Sequence, residues 1–103
     1  MKQINAKEAA ELLNQPEKTV LIDFFATWCG PCKMLAPVLE AVAPHYPDVE
    51  FVKIDVDGEP ALAGQFGVQV IPTLVVVRGG KILASSTGYR DEAGLAAFLD
   101  GAL

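Results

Sequence analysis

The sequence predicts an α/β protein: a three-layer α/β/α sandwich with a central mixed five-stranded sheet and four helices, ordered β-α-β-α-β-α-β-β-α. Three observations carry that reading. Thr19 to Ala26 is almost uniformly apolar, as a strand covered on both faces must be. Segments with helical apolar spacing alternate with segments rich in Val, Ile and Phe, which implies parallel crossovers. Gly79-Gly80 between two strand-like runs is a strong hairpin signal, so one strand pair is antiparallel and the sheet is mixed.

The order opens on a strand for which the pattern sets no bounds. Ala6 to Gln15 then reads as a short amphipathic helix with Ala9, Leu12 and Leu13 on one side; Asn5 caps it, Glu8 completes a capping box, and Pro16 closes it. After the strand Thr19 to Ala26, Pro31 fits the first turn of a helix that runs to about Tyr46. Met34, Leu35, Val38, Leu39 and Val42 are its expected buried side, and Pro37 should kink it. Val49 to Val56 is the next strand, biased by Phe51, Val52, Ile54 and Val56. Glu59 to Phe66 is a short helix opened by Pro60 and ended by Gly67. Thr73 to Arg78 and Lys81 to Thr87 form the hairpin, Gly88 breaks it, and Asp91 to Leu99 closes the fold through Leu95, Ala96, Phe98 and Leu99.

A chain of 103 residues, 51% hydrophobic, is a single domain (1–103) able to build a core without a staple. Its net charge of −5 gives no reason to expect nucleic acid or an anionic membrane as partner. The N-terminus lacks the apolar stretch of a secretory signal, and no apolar run is long enough to span a bilayer. These features lead to the expectation of a cytoplasmic monomer.

The chemistry is concentrated at Trp28-Cys29-Gly30-Pro31-Cys32-Lys33, which holds the only two cysteines. A purely structural disulfide across so short a loop contributes about 2 kcal/mol, less than half the roughly 4.7 expected for a 100-residue loop. A zinc site would need a second histidine after His45, and the chain has one His. Reversible thiol–disulfide exchange remains the best-supported use. Cys29, at a helix N-terminus, is the expected nucleophile, since the dipole favours its thiolate by roughly 0.3–1 kcal/mol and at most about 2. Cys32, one turn in and more shielded, is better placed to resolve a mixed disulfide.

Two further positions stand out. Asp23 interrupts the apolar strand six residues before Cys29. Inside the sheet, desolvation should raise its pKa and make it a poised acid/base for the Cys32 proton, with Lys53 in the next strand as a candidate charge partner. The pattern also allows a strand-end acid facing solvent and an ordinary solvated lysine. Ile71-Pro72-Thr73 immediately precedes a strand, where spacing alone leaves the peptide isomer open.

With these residues in place, the chain resembles the thioredoxin family along essentially its whole length. Trp28-Cys29-Gly30-Pro31-Cys32-Lys33 is similar to that family's active-site motif. Asp23 matches its buried acid, Lys53 the lysine near it, Pro37 the helix proline, Pro72 the cis-proline facing the dithiol, and Gly88 the glycine beside the substrate surface. The resemblance implies a protein-disulfide reductase with a redox-active Cys29–Cys32 disulfide and no bound cofactor. Trp28, Gly30, Pro31, Ile71, Pro72 and Gly88 would form the substrate platform, with backbone near Ile71 pairing to an extended client strand. It also implies reduction by a flavin-dependent, NADPH-fed thioredoxin reductase, since the chain has no dinucleotide fingerprint of its own. A dithiol oxidase or isomerase on the same fold, or a redox-silent interaction module, are the alternatives. Phe25 departs from the bacterial pattern, which usually carries a second tryptophan there, and Tyr89 adds bulk beside Gly88.

Overall fold

The apolar run at Thr19 becomes the middle strand of the sheet, and its neighbours on either side have opposite polarity. The computed structural model describes residues 1–103 as β1 (Lys2–Gln3), α1 (Ala6–Leu13), β2 (Thr19–Phe25), α2 (Gly30–Val42), a 3-10 turn (Ala43–His45), β3 (Val49–Asp55), α3 (Pro60–Gln65), β4 (Thr73–Arg78), β5 (Lys81–Thr87) and α4 (Glu92–Ala102). The sheet order is β1-β3-β2-β4-β5. β3 is parallel to both β1 and β2, whereas β4 is antiparallel to β2 and β5. The expected mixed five-stranded sheet with four helices is what forms, and the unbounded opening strand is the two-residue β1 at the edge.

Every residue of β2 from Thr19 to Phe24 is buried, because alternate side chains serve two cores. Val20, Ile22 and Phe24 pack with Ala9 of α1 and Leu62 and Ala63 of α3. Leu21 packs on the other face with Leu35, Leu39 and Val42 of α2 and Leu95 and Leu99 of α4. Each fully buried Leu, Ile or Phe contributes about 1.5–3 kcal/mol by leaving water.

Local signals set the ends of these elements. The Asn5 side chain accepts from the Glu8 N–H while the Glu8 carboxylate accepts from the Asn5 N–H, the reciprocal cap read in the sequence. Gly79 and Gly80 have φ of +58° and +79°, the left-handed pair that a two-residue hairpin matching the sheet twist requires. Helix α1 is two residues shorter than expected, while α4 takes Asp91 as its N-cap and runs three residues beyond Leu99.

Two expectations for α2 need correction. The α-helix ends at Val42 and passes into the 3-10 turn rather than continuing to Tyr46, because Pro44 cannot donate the next α-type hydrogen bond. Met34 is 60% exposed and is not part of the buried side. The core stripe is Leu35, Leu39 and Val42, at i, i+4 and i+7, and Met34 lies about 100° from Leu35 around the helix.

Candidate active site

The chain leaves β2 at Phe25 and turns at once into α2. The Cys29 N–H donates to the Ala26 carbonyl at 3.2 Å, and Cys29 becomes the N-cap with extended backbone (φ −87°, ψ 115°). Gly30 and Pro31 start the helix, proline costing nothing where helical N–H groups lack partners. The Cys32 N–H donates to Cys29 Sγ at 3.2 Å. A helix end thus points at the first sulfur an N–H that favours its ionised form.

The two cysteines are joined as a disulfide with their Cα atoms 5.3 Å apart. Their expected difference in shielding is absent in this oxidised state, Cys29 being 5% exposed and Cys32 4%. Each bonded sulfur covers the other, and Ala26, Phe25, Val56 and Ile71 pack around both. Exposed Trp28, Gly30 and Pro31 surround them.

The loop before β4 comes up on the other side. The Ile71–Pro72 peptide is cis, Pro72 is buried, and Ile71 packs against the cysteine cluster. The Pro72 carbonyl accepts the Gly88 N–H at 2.8 Å, where Gly88 has φ +85°. The Thr73 hydroxyl donates to the Val70 carbonyl and ties the loop to β4. Neither the N–H nor the carbonyl of Ile71 is hydrogen-bonded within the chain, so both remain available to a partner strand.

On the same face of β2 as Phe25, Asp23 is 2% exposed and no protein group donates to its Oδ1. Desolvation pushes its carboxyl up to about 7, partly offset by the positive charge of Lys53. Lys53 is directly opposite Asp23 in the β2–β3 register, yet it makes no ion pair with it. Its ammonium sits over the Phe25 ring, 5.0 Å from the centroid.

The ten residues expected at the site are carried by five segments: β2, the turn into α2 with its first residues, β3, the loop before β4 and the loop after β5. Sequence reading missed Asp57, whose carboxylate accepts the Trp28 indole N–H at 2.7 Å. In the sequence Asp57 is one acid in an acidic turn, and nothing local links it to a residue 29 positions earlier. His45 lies past the far end of α2, about 20 Å from the cysteines by helix length, so it shares no site with them. No cluster of three or more His, Cys, Asp or Glu side chains is placed to hold a metal ion, and no helix is long and apolar enough to cross a membrane. A depression of about 200 Å³ lined by Phe66, Val70, Val75 and Ile82 contains neither cysteine.

The chain is also similar to known proteins along nearly its whole length. The family model described as Thioredoxin matches residues 1–101. A thioredoxin of Chlamydia muridarum is 55% identical over 73 residues, 71% of this chain and 72% of the relative. A thioredoxin of Haemophilus influenzae is 40% identical over 98 residues, 94% of this chain and 92% of the relative. Among solved structures, Fasciola hepatica thioredoxin superimposes with a TM-score of 0.88 at 35% identity, covering 97% of both chains. Oxidised mitochondrial thioredoxin 3 of Saccharomyces cerevisiae gives 0.85 at 38% identity, covering 97% of this chain and 94% of that one.

Proposed function

Because the chain belongs to the thioredoxin family, we infer that its Cys29–Cys32 pair cycles between dithiol and disulfide and reduces disulfides in other proteins. The observation that carries this is the disulfide itself, set at the start of α2 with the Cys32 N–H directed at Cys29 Sγ.

In the reduced protein the Cys29 thiolate attacks one sulfur of a client disulfide. A Cys29–client bond forms, the client S–S bond breaks, and the other client sulfur leaves as a thiolate. Asp23, ionised, takes the Cys32 proton directly or through a water. The Cys32 thiolate then attacks Cys29 Sγ, forming the internal disulfide and expelling the second client thiolate. Two electrons pass to the client, and its two thiolates take up protons.

Trp28, Gly30, Pro31, Ile71, Pro72 and Gly88 form the docking platform. The free N–H and carbonyl of Ile71 support pairing with an extended client segment, which contributes affinity with little side-chain selectivity. The oxidised chain exchanges with redox partners. Its proposed electron source is a flavin-dependent, NADPH-fed thioredoxin reductase, since the chain has no dinucleotide fingerprint of its own, and its proposed form is a monomer working in the cytoplasm.

The test is the equilibrium reduction potential against a glutathione series, paired with Cys32→Ser. A potential below the cytosolic glutathione poise of roughly −220 to −260 mV, near the reference of about −270 mV for thioredoxins, fits a reductant. A value of about −180 to −120 mV would make the chain an isomerase or oxidase instead. Cys32→Ser should accumulate a covalent client adduct through Cys29, and failure to trap one would remove Cys29 as the attacking thiol.

A further inference from the structure

We propose that Phe25 is a positioning residue for the exchange reaction, its ring holding the Lys53 ammonium beside the buried Asp23 carboxyl but off it. The proposal rests on the reductase reading above and adds a control on its proton-transfer step.

The argument begins with the pleat. Asp23 and Phe25 are two apart on β2 and share a face, as do Lys53 and Asp55 on β3. Register places Lys53 opposite Asp23 and Asp55 opposite Phe25. The Lys53 side chain therefore has two destinations, the carboxylate across from it or the ring on the diagonal. It takes the ring, with Nζ 5.0 Å from the centroid, inside the roughly 6 Å reach of a cation–π contact. Asp23 Oδ1 is left without a protein donor.

Phe25 is itself held. It packs against Ala26, Cys29 and Cys32, so the dithiol cluster fixes the ring on which the ammonium rests. The charged and titratable groups around Asp23 are few. β3 contributes Lys53 and, beside Phe25, Asp55; Cys29 and Cys32 at the start of α2 pack against Phe25; the register partner on β4 is Leu74. Lys53 is thus the only cation among them, and its placement decides how strongly the carboxylate form is favoured. A lysine drawn onto Asp23 would keep the acid ionised and make it a weaker proton acceptor for Cys32. With the lysine held on Phe25, the acid stays desolvated and titrates near neutral pH.

The experiment is a carboxyl-carbon NMR titration of Asp23 in the oxidised protein, where no thiol titrates, for wild type, Phe25→Leu, Lys53→Met, the double variant and Phe25→Trp. Phe25→Leu should lower the Asp23 midpoint by about half a pH unit or more. The same substitution in the Lys53→Met background should leave the midpoint where Lys53→Met alone puts it, and Phe25→Trp should retain the wild-type value. Equal shifts with and without Lys53, or no shift in Phe25→Leu, would overturn the proposal. The wild type gives an independent reading: Lys53 ε-proton resonances should be displaced upfield by the ring current, and unshifted resonances would refute the contact. These readouts do not depend on turnover, so a failure here leaves the reductase reading intact. An oxidising potential would in turn refute that reading without moving them.

Discussion

The indole N–H of Trp28 donates to Oδ2 of Asp57 at 2.7 Å, tying the residue before Cys29 to the loop between β3 and α3. Trp28 is 69% exposed, and a large aromatic side chain so open to water would otherwise sample several rotamers. Asp57 is positioned in turn by its own N–H, which donates to Asp55 Oδ1 at 2.9 Å. Trp28, a member of the proposed docking platform, is therefore anchored to the β3–α3 loop as well as to the start of α2.

Asp57→Ala should release Trp28 and lower kcat/KM for protein disulfides about fivefold, equivalent to about 1 kcal/mol of lost transition-state stabilisation. Trp28 is the only tryptophan, so fluorescence anisotropy reads its mobility directly. Anisotropy should fall in Asp57→Ala and be retained in Asp57→Asn, whose amide oxygen still accepts. Unchanged anisotropy with reduced turnover would assign Asp57 some role other than holding the indole.

The raised pKa of Asp23 has a defined effect on stability. The folded protein holds its proton up to about pH 7, whereas the unfolded chain releases it near 3.8. Between those values the native state binds more protons, so stability falls as pH rises. The loss is complete above about pH 7 and absent below about pH 4. Its full size corresponds to about 4 kcal/mol. Asp23→Asn should remove that slope, gaining little at pH 4 and a few kcal/mol at pH 8 in urea unfolding. A parallel offset at every pH would show that the carboxyl is not the titrating group.

The same group should shape the kinetics of client release. With a pKa of about 7, Asp23 becomes able to accept the Cys32 proton as pH passes through neutrality. Single-turnover decay of a Cys29–client mixed disulfide should therefore rise through about pH 7 in wild type. In Asp23→Asn the rise should move toward the ordinary thiol range near 8.5. Formation of the mixed disulfide should change much less, because the proposed mechanism has Asp23 take its proton from Cys32 and not from Cys29. Equal slowing of both steps would remove its role as the base for Cys32.

What the sequence could carry was whatever one segment states by itself. The apolar run of β2, the Asn5–Glu8 cap, the Gly79-Gly80 turn and the Cys-Gly-Pro-Cys helix start each encode their geometry within a few residues, and each formed as read. Asp23 was legible because a carboxylate in an apolar strand is costly wherever the strand lies. Met34 was misplaced because helical spacing gives a stripe's width only within one turn, and the sheet below α2 decides which edge of it is covered. Asp57 and the Phe25–Lys53 contact were not legible at all. Both depend on lateral register between strands or on a loop returning from far along the chain, which no local pattern specifies.

Gly79 and Gly88 allow stability and function to be separated. Both have positive φ, which costs a residue with a Cβ about 1–2 kcal/mol. At Gly79 the added carbon would also fall far inside van der Waals contact with the Pro16 carbonyl oxygen, a backbone atom that cannot swing away. The Gly79 N–H donates to the Lys18 carbonyl at 3.2 Å, so displacing the turn breaks its link to the start of β2 as well. Gly79→Ala should cost about 3 kcal/mol or more and lower Tm by at least about 10 °C. The hairpin lies at the opposite end of β4 from Pro72, about 20 Å away, so the Cys29–Cys32 potential should not change. At Gly88 no atom lies within 4 Å of an added Cβ, so Gly88→Ala should lose only the conformational 1–2 kcal/mol, roughly. Its methyl would stand at the edge of the proposed docking platform, where Gly88 is tied to the Pro72 carbonyl, and should raise KM for protein disulfides more than it lowers Tm. Thermal melts set against client kinetics separate the two, and a Gly88→Ala variant with unaltered KM would take that glycine off the docking surface.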